Sequence, residues 1–341
     1  MMWKRLFVRA QPLFLAVAAL FMILLLRSQW ATLRNHSWRL HAGWLLLSGL
    51  LMLASWALEV SIWRQLLHLL AGRLPYWAGV RIWFLSAIVR YIPGNIWQPL
   101  SMTLYCQRYG IRPEITFTSV MLYQLVTLLA VGPIAALYFA WSHNWGLLTQ
   151  LLSAFAPWLI GLGLLPVVLF LVRPTWLTVI INWLLYKVGR EPLTTQLSSQ
   201  ALLRLLLLQM VNWFLWGASF AALTFALGDY DRSQLLTLTP HLLAVYPIAY
   251  ALGLISFITP SGFGVREGAF YLFLAPLMDG GVVTIAALAM RVWTMFGEAL
   301  MAGASAWVGR TQPLPSPEAT QPPSSLPKGA LPKGSLSGEP T

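Results

Sequence analysis

The stretch of sequence that decides the fold is SFITPSGFGVREGAFYLFL, residues 256–274, in which a Pro-Ser-Gly turn and an adjacent charged pair interrupt an apolar run. A second stretch, residues 82–105, reads IWFLSAIVRYIPGNIWQPLSMTLY and is interrupted in its middle by Pro-Gly. Proline lacks the backbone N–H that a helix needs, and glycine costs a helix conformational entropy. Neither stretch therefore predicts one continuous helix, although the residues on both sides of each break are apolar.

The composition around these stretches is that of a membrane protein. The chain has 341 residues, of which 58% are apolar and 9% are charged, and its mean hydropathy is +0.69. Soluble domains carry about 25% charged residues, so the composition excludes a solvated globular enzyme, a disordered protein and a coiled coil. The net charge of +12 is spread between apolar runs, which suits anionic lipid headgroups better than a nucleic-acid partner.

In a membrane, the two broken stretches acquire a structural meaning. Backbone groups that are freed at a break cannot face lipid, so such a break is tolerated only inside protein or along a wet cavity. Each half of residues 82–105 is well under the ~20 residues that a crossing helix needs, and the longer apolar region 242–278 is split in the same way. The sequence predicts two re-entrant hairpins of paired half-helices. A kinked helix that crosses, followed by an ordinary surface loop, is the alternative.

The remaining apolar runs predict crossing helices. The predicted fold class is an all-α integral membrane protein with about six transmembrane helices, two oppositely oriented re-entrant half-helix hairpins and an inverted repeat as an option. The six predicted crossing runs are residues 12–26, 42–63, 115–141, 155–172, 205–227 and 282–308.

The distribution of cations predicts the orientation and the domains. Lysine and arginine favour the cytoplasmic side of a membrane, which places the N-terminus inside, the first hairpin entering from the cytoplasm and the second from outside. Arg27, Arg34 and Arg39 disagree with this arrangement. Residues 1–309 are predicted to form the transmembrane domain in the cell (cytoplasmic) membrane. Residues 310–341 are rich in proline and are predicted to be a disordered cytoplasmic tail.

The second break contains the strongest candidate site. Arg266 and Glu267 follow it directly, at the predicted start of a half-helix, where free N–H groups and a positive potential attract phosphate. An arginine can bind that phosphate with two parallel hydrogen bonds. Gly262 and Gly264 would let the backbone approach a ligand closely. Glu267 is expected either to pair with Arg291 or to receive a proton.

The first break supplies a second group of candidates. Arg90 precedes the elbow formed by Pro93, Gly94 and Asn95, and an ionisable residue in a membrane segment is a functional candidate. The alternative for every such charge is an internal ion pair that only holds helices together. This structural alternative is favoured for the acidic residues Glu59 and Glu298.

Several functional classes lack their sequence signals. The single cysteine, Cys106, excludes an internal disulfide and a multi-cysteine metal site, and the five histidines are scattered. The sequence contains no GxxxxGK[ST] nucleotide loop, no GxGxxG after a strand and no GxSxG elbow. We therefore expect no cofactor, no metal and no enzymatic activity.

Two motifs carry a family resemblance. The stretch SAIVRYIPGNIWQPLSMTLYCQRYGIRPE, residues 86–114, resembles the first signature of the flippase-like membrane family that includes the transmembrane region of lysylphosphatidylglycerol synthase. The stretch SFITPSGFGVREGAFYLFL resembles the second signature, a P-x-G-x-G-x-R-E-G elbow. Arg291, in AALAMRVWTMFGEAL, matches a downstream arginine of the same family.

The resemblance implies lipid translocation. It predicts a stand-alone flippase or lipid-binding transporter for an anionic or phosphate-bearing lipid, either a phospholipid or a polyprenyl-linked lipid. The alternative that it leaves open is a non-catalytic membrane accessory subunit of a glycosyltransferase or lipid synthase. A membrane transferase that uses Glu267 or His68 is a third, less favoured hypothesis.

Overall fold

The structure of the protein is a computed structural model that describes residues 27, 39–91, 97–142, 156–187, 198–255, 262 and 264–311. Within these residues the chain forms helices and no strand, as predicted. The helices are α1 Ala42–Leu69, α2 Tyr76–Ala87, α3 Trp97–Gln107, α4 Pro113–Leu129, α5 Val131–Ser142, α6 Ala156–Val172, α7 Thr175–Lys187, α8 Ser199–Ala226, α9 Arg232–Ile255, α10 Val265–Leu274 and α11 Gly280–Thr311.

Most of the predicted crossing runs coincide with long apolar helices. Four of the six correspond to α1, to α4 with α5, to α8 and to α11, each of which is long and apolar enough to cross a membrane. The run at 155–172 is α6, which has 17 residues. The run at 12–26 lies outside the described residues, as do residues 312–341 of the predicted tail.

The first arm of the second broken region differs from the prediction. It is not a half-helix, because α9 begins at Arg232, before the predicted apolar region 242–278, and continues for 24 residues. That length makes α9 a fifth candidate for crossing the membrane. Pro240 and Pro247 lie inside α9, and the helix continues through both prolines. The second arm, α10, has 10 residues, about half of the ~20 that a crossing helix needs; that it re-enters the bilayer stays a prediction.

Helices α1 and α8 form an antiparallel pair at the centre of the bundle. Ser48 and Ser219 exchange hydrogen bonds with each other's backbone carbonyls at 2.8 and 2.9 Å. Two turns further along, the Ser55 hydroxyl donates to Asn212 Oδ1 at 2.7 Å. Small polar residues of this kind let helix backbones approach and bond inside a membrane, where apolar surfaces alone give little attraction.

Contacts at one end of α1 define the first end of the bundle. The His41 ring and the Arg39 guanidinium both contact the Asp229 carboxylate, at 2.8 and 3.2 Å. This places the start of α1 beside the start of α9. Burial, assisted by the nearby Asp279 carboxylate, raises the pKa of Tyr230 to about 12, so the start of α11 lies at the same end.

The first broken region enters from the opposite end of the bundle. Helix α2 begins there after α1 has ended, and the Arg64 guanidinium of α1 donates to the Leu74 carbonyl just before α2. With 12 and 11 residues, α2 and α3 are each about 17 Å long, roughly half of a ~30 Å hydrocarbon core. The Ser86 hydroxyl of α2 donates to Ser101 of α3 at 3.1 Å. That the pair turns back within the bilayer stays a prediction.

Close packing of α8 on α9 generates a stability prediction. A Cβ at Gly217 of α8 would lie 2.6 Å from the Leu243 carbonyl oxygen of α9, so we expect Gly217→Ala to force the two backbones apart. The expected loss is about 1–3 kcal/mol of unfolding free energy, measured as a lower thermal unfolding temperature of the purified protein. Gly303→Ala is the matched control, because nothing lies within 4 Å of that position. Equal unfolding temperatures for the two variants would contradict the packing.

Candidate functional site

Two glycines set the geometry of the chain before α10. Gly264, the residue that precedes the helix, has φ +85°, and Gly262 has φ +65°; both values lie in the left-handed region that glycine adopts without strain. A Cβ at Gly262 would lie 2.7 Å from the Cα of Gly253 in α9. The close approach that Gly262 permits in the structure is therefore between the elbow and α9.

The Glu267 carboxylate joins the start of α10 to α11. Its Oε2 accepts a hydrogen bond from the backbone N–H of Gly264 at 2.7 Å, and its Oε1 lies 3.2 Å from Nε of Arg291. The Glu267 side chain is 2% exposed and the Arg291 side chain 17%. Of the two roles expected for Glu267, the ion pair with Arg291 is thus present in the structure.

Arg266 has surroundings of a different kind. Its guanidinium carbon lies 4.7 Å from the centre of the Tyr246 ring, 5.5 Å from that of Tyr250 and 5.6 Å from that of Phe270. Among the described side chains, no carboxylate lies within salt-bridge distance of this guanidinium. The charge is therefore held by the faces of three aromatic rings, an attraction that leaves the N–H donors at the edge of the guanidinium.

The aromatic platform under Arg266 continues into the core. The Tyr246 ring stacks on Trp216 of α8 with centroids 5.8 Å apart and planes 5° apart, and Phe220 of α8 stacks on Phe270 at 4.6 Å. The indole N–H of Trp216 donates to Oε1 of Glu59 at 2.9 Å. Through these contacts, Trp216 of α8 and Glu59 of α1 are connected to the aromatic rings at Arg266.

The depth of the site follows from the helix rise. Arg291 is eleven positions after the first residue of α11, Gly280, which corresponds to about 16 Å along the axis. Since the hydrocarbon core is ~30 Å thick, a helix that crosses from its first residues carries Arg291 near the middle. Arg266, next to the Arg291 partner Glu267, lies at a similar depth.

The structure brings together the residues predicted around the second break, namely Gly262, Gly264, Arg266, Glu267 and Arg291, whereas most of those predicted around the first break lie outside the described residues. Pro93, Gly94 and Asn95 lie outside the described residues, and for Arg90 the structure describes the backbone, in a 3-10 helix from Ile88 to Tyr91. His68 has a structural position, because its Nε2 faces the backbone N–H of Leu74 at 3.5 Å in the turn after α1.

Sequence reasoning missed the aromatic partners of Arg266. A periodic signal for them was present, because Phe270 is four residues after Arg266 on α10 and Tyr250 is four residues after Tyr246 on α9. Residues four apart share a helix face. That the two faces meet, however, depends on the packing of α9 against α10.

A comparison with known families tests the resemblance predicted from the motifs. The model of the family described as the lysylphosphatidylglycerol synthase TM region matches residues 12–301 of the chain. The match covers both broken stretches and Arg291, and it confirms the family resemblance predicted from the motifs. No curated protein matches the chain.

The Glu267–Arg291 pair generates a second stability prediction. We expect Glu267→Ala to lower the unfolding free energy by about 3–5 kcal/mol, because it leaves the partly buried Arg291 guanidinium without this carboxylate. Thermal unfolding of the purified protein measures the loss. Arg39→Gln is the comparison at the rim, where the Arg39 and Asp229 side chains are 70% and 55% exposed and an ion pair contributes about 0–1 kcal/mol. A smaller loss for Glu267→Ala than for Arg39→Gln would contradict the assignment.

Proposed function

Because the chain belongs to the family of the lysylphosphatidylglycerol synthase transmembrane region, we propose that it moves an anionic or phosphate-bearing lipid between the leaflets of the cytoplasmic membrane. The lipid is a phospholipid or a polyprenyl-linked lipid, and the protein acts as a flippase or lipid-binding transporter. The family match concerns a transmembrane region, which supports a role that involves membrane lipid without assigning a catalytic step.

The observation that carries the proposal is the position of Arg266. A guanidinium at the middle of an apolar bundle, held by three ring faces and hydrogen-bonded to Tyr246, has five N–H donors and so retains donors for an exchangeable partner. A phosphate diester offers the two adjacent oxygens that a guanidinium binds bidentately. The N-terminal end of α10, which begins one residue before Arg266, adds positive potential at the same place.

The charges around Arg266 favour an anion. Arg266 and Arg291 contribute two positive charges, and Glu267, held in its ion pair with Arg291, contributes one negative charge. The charges of these three residues sum to +1, and the Glu59 carboxylate lies further away, beyond the rings of Tyr246 and Trp216. In a low-dielectric region this uncompensated charge favours a negatively charged headgroup, for which crossing the hydrocarbon core alone is costly.

Charge also supports the proposed orientation of the protein. The end at which α1 and α9 begin carries three aspartates, Asp229, Asp231 and Asp279, beside Arg39 and Arg232, whereas the opposite end carries arginines, among them Arg64 and Arg108. Since arginine favours the cytoplasmic side, the opposite end faces the cytoplasm. The N-terminus and the tail after residue 309 are then cytoplasmic as well.

A transport assay tests the role of Arg266. In liposomes that contain fluorescent phosphatidylglycerol, we expect wild-type protein to expose inner-leaflet lipid to an impermeant quencher. Arg266→Ala should lower the rate at least about tenfold, the effect of losing ~1.4 kcal/mol or more at a charged hydrogen bond. Arg266→Lys, which keeps the charge without the bidentate geometry, should lie between the two.

The controls separate binding from folding. Arg173→Ala removes the same side chain at an exposed position between α6 and α7 and should transport like wild type, and Arg266→Ala should retain its thermal unfolding transition. Equal lipid exposure with and without wild-type protein contradicts the proposal. If such inactive protein co-purifies with a glycosyltransferase or a lipid synthase, the accessory-subunit hypothesis replaces it.

Cysteine labelling tests the orientation. In a Cys106→Ser background, which removes the single cysteine, an impermeant maleimide should label Asp229→Cys in intact cells and label Arg108→Cys only after the cells are opened. Both positions are exposed, so accessibility of the thiol itself is matched. The reverse pattern would place the acidic end in the cytoplasm and contradict the proposed orientation.

A further inference from the structure

We propose that Tyr246 of α9 is a positioning residue for Arg266: its hydroxyl fixes the rotation of the guanidinium, so that an edge with two parallel N–H groups faces the ligand. The orientation is argued from the contacts of the two side chains. Its consequence for lipid recognition rests on the proposed transport function, to which it adds the residue that prepares Arg266 for a phosphate.

The Arg266 side chain lies along one face of α9. Tyr246, Tyr250 and Gly253 are four and three residues apart, so they share that face. At one end, a Cβ at Gly253 would lie 3.3 Å from the Cβ of Arg266. At the other end, the guanidinium carbon lies 4.7 Å from the centre of the Tyr246 ring. Helix α9 therefore places both ends of the arginine side chain, and the rotation of the guanidinium is what remains to be fixed.

The aromatic faces alone do not fix that rotation. The attraction between a cation and a ring acts toward the ring face, and it does not select among the N–H groups at the edge of a guanidinium. The ring of Phe270, 5.6 Å from the guanidinium carbon, has no polar atom and supplies this attraction only. A hydrogen bond is directional, so one such bond is enough to orient a planar group whose position is already set.

Tyr246 supplies this hydrogen bond. Its hydroxyl is bonded to the Arg266 side chain, and because a guanidinium has donors and no acceptor, the guanidinium donates and the hydroxyl oxygen accepts. The five N–H groups form two edges with paired donors and one single donor, so a paired edge remains whichever N–H group Tyr246 takes. That edge matches the two adjacent oxygens of a phosphate diester.

The Tyr246 ring is packed tightly enough to act as a fixed reference. The residue is 2% exposed. Trp216 stacks on it with centroids 5.8 Å apart and planes 5° apart, and the Phe220 centroid lies 5.6 Å away. Trp216 is itself held by its indole N–H, which donates to Glu59 at 2.9 Å. Dense packing keeps a core side chain in one rotamer, so the hydroxyl has one position relative to α9.

The alternative is a hydroxyl that only satisfies one donor of a partly buried arginine. Both roles include the hydrogen bond, but only positioning makes its value depend on the guanidinium shape. Lysine at position 266 separates the two roles, because an ammonium has three donors on a rotating bond and no paired edge to orient. Loss of the Tyr246 hydroxyl should therefore matter beside arginine and not beside lysine.

The first arm of the experiment observes the guanidinium directly. Full-length protein with isotope-labelled arginine is reconstituted in lipid nanodiscs, and the signals that disappear in Arg266→Lys are assigned to Arg266 by NMR. We expect slow rotation of the Arg266 guanidinium in wild type and fast rotation in Tyr246→Phe, which keeps the ring and removes the hydroxyl. Unchanged slow rotation in Tyr246→Phe overturns the positioning role.

The matched control removes a buried tyrosine hydroxyl elsewhere in the bundle. Tyr138 is 4% exposed, and its hydroxyl lies 3.1 Å from Nδ1 of His241. Tyr138→Phe should leave the Arg266 signals as they are in wild type. Both phenylalanine variants should retain a thermal unfolding transition, which shows that the two proteins are folded when they are compared.

The second arm is a double-mutant cycle on the transport of fluorescent phosphatidylglycerol in liposomes. Tyr246→Phe should lower the wild-type rate about tenfold, the effect of one lost hydrogen bond to a charged group, and Tyr138→Phe should not lower it. In an Arg266→Lys background, the same Tyr246→Phe change should alter the rate by less than about twofold. Equal losses in the arginine and lysine backgrounds overturn the role in lipid recognition.

The two arms let the two proposals fail separately, because the NMR signals need no transport. Slow rotation that depends on Tyr246, in a wild-type protein that moves no lipid, would contradict the proposed function and leave the oriented guanidinium standing. Transport that needs Arg266 and continues at the wild-type rate in Tyr246→Phe would keep the proposed function and overturn the inference.

Discussion

The Glu267 carboxylate makes two bonds on which the arrangement of this protein depends. One oxygen accepts the backbone N–H of Gly264, and the other contacts the Arg291 guanidinium. A chain break among apolar helices must satisfy its freed backbone groups within the protein, since lipid offers no hydrogen bonds. By accepting from the N–H of Gly264, the residue before α10, and contacting an arginine of α11, Glu267 determines where the helix begins and what it packs against.

In this arrangement the adjacent residues Arg266 and Glu267 have different roles. Glu267 has a structural role, because both of its carboxylate oxygens have partners and its side chain is almost completely buried. Arg266, one residue earlier, projects instead onto the rings of Tyr246, Tyr250 and Phe270. Cation–π contacts stabilise a guanidinium without neutralising it, so the arginine keeps the positive charge that the proposed binding of an anionic headgroup requires.

The central pair of α1 and α8 contacts this site through Trp216. Serine and asparagine side chains hold the two helices close through buried hydrogen bonds, and Trp216 extends from α8 to contact both Glu59 and Tyr246. A polar route thus runs through the bundle from a carboxylate to a guanidinium. Polar groups inside a membrane bundle are costly, and their concentration along one route favours function over packing alone.

The sequence by itself determined the all-helical membrane class, most of the long helices, the break before Arg266 and the family, because hydropathy, glycine and proline act over short distances along the chain. It did not predict α9 correctly, since the apolar region was taken to begin at residue 242, whereas the helix already begins at Arg232 and includes the polar residues that follow it. The three aromatic rings at Arg266 and the division of roles between Arg266 and Glu267 were decided by tertiary structure. Each depends on the register and rotation of helices distant in sequence, and packing complementarity rather than local propensity sets those two quantities.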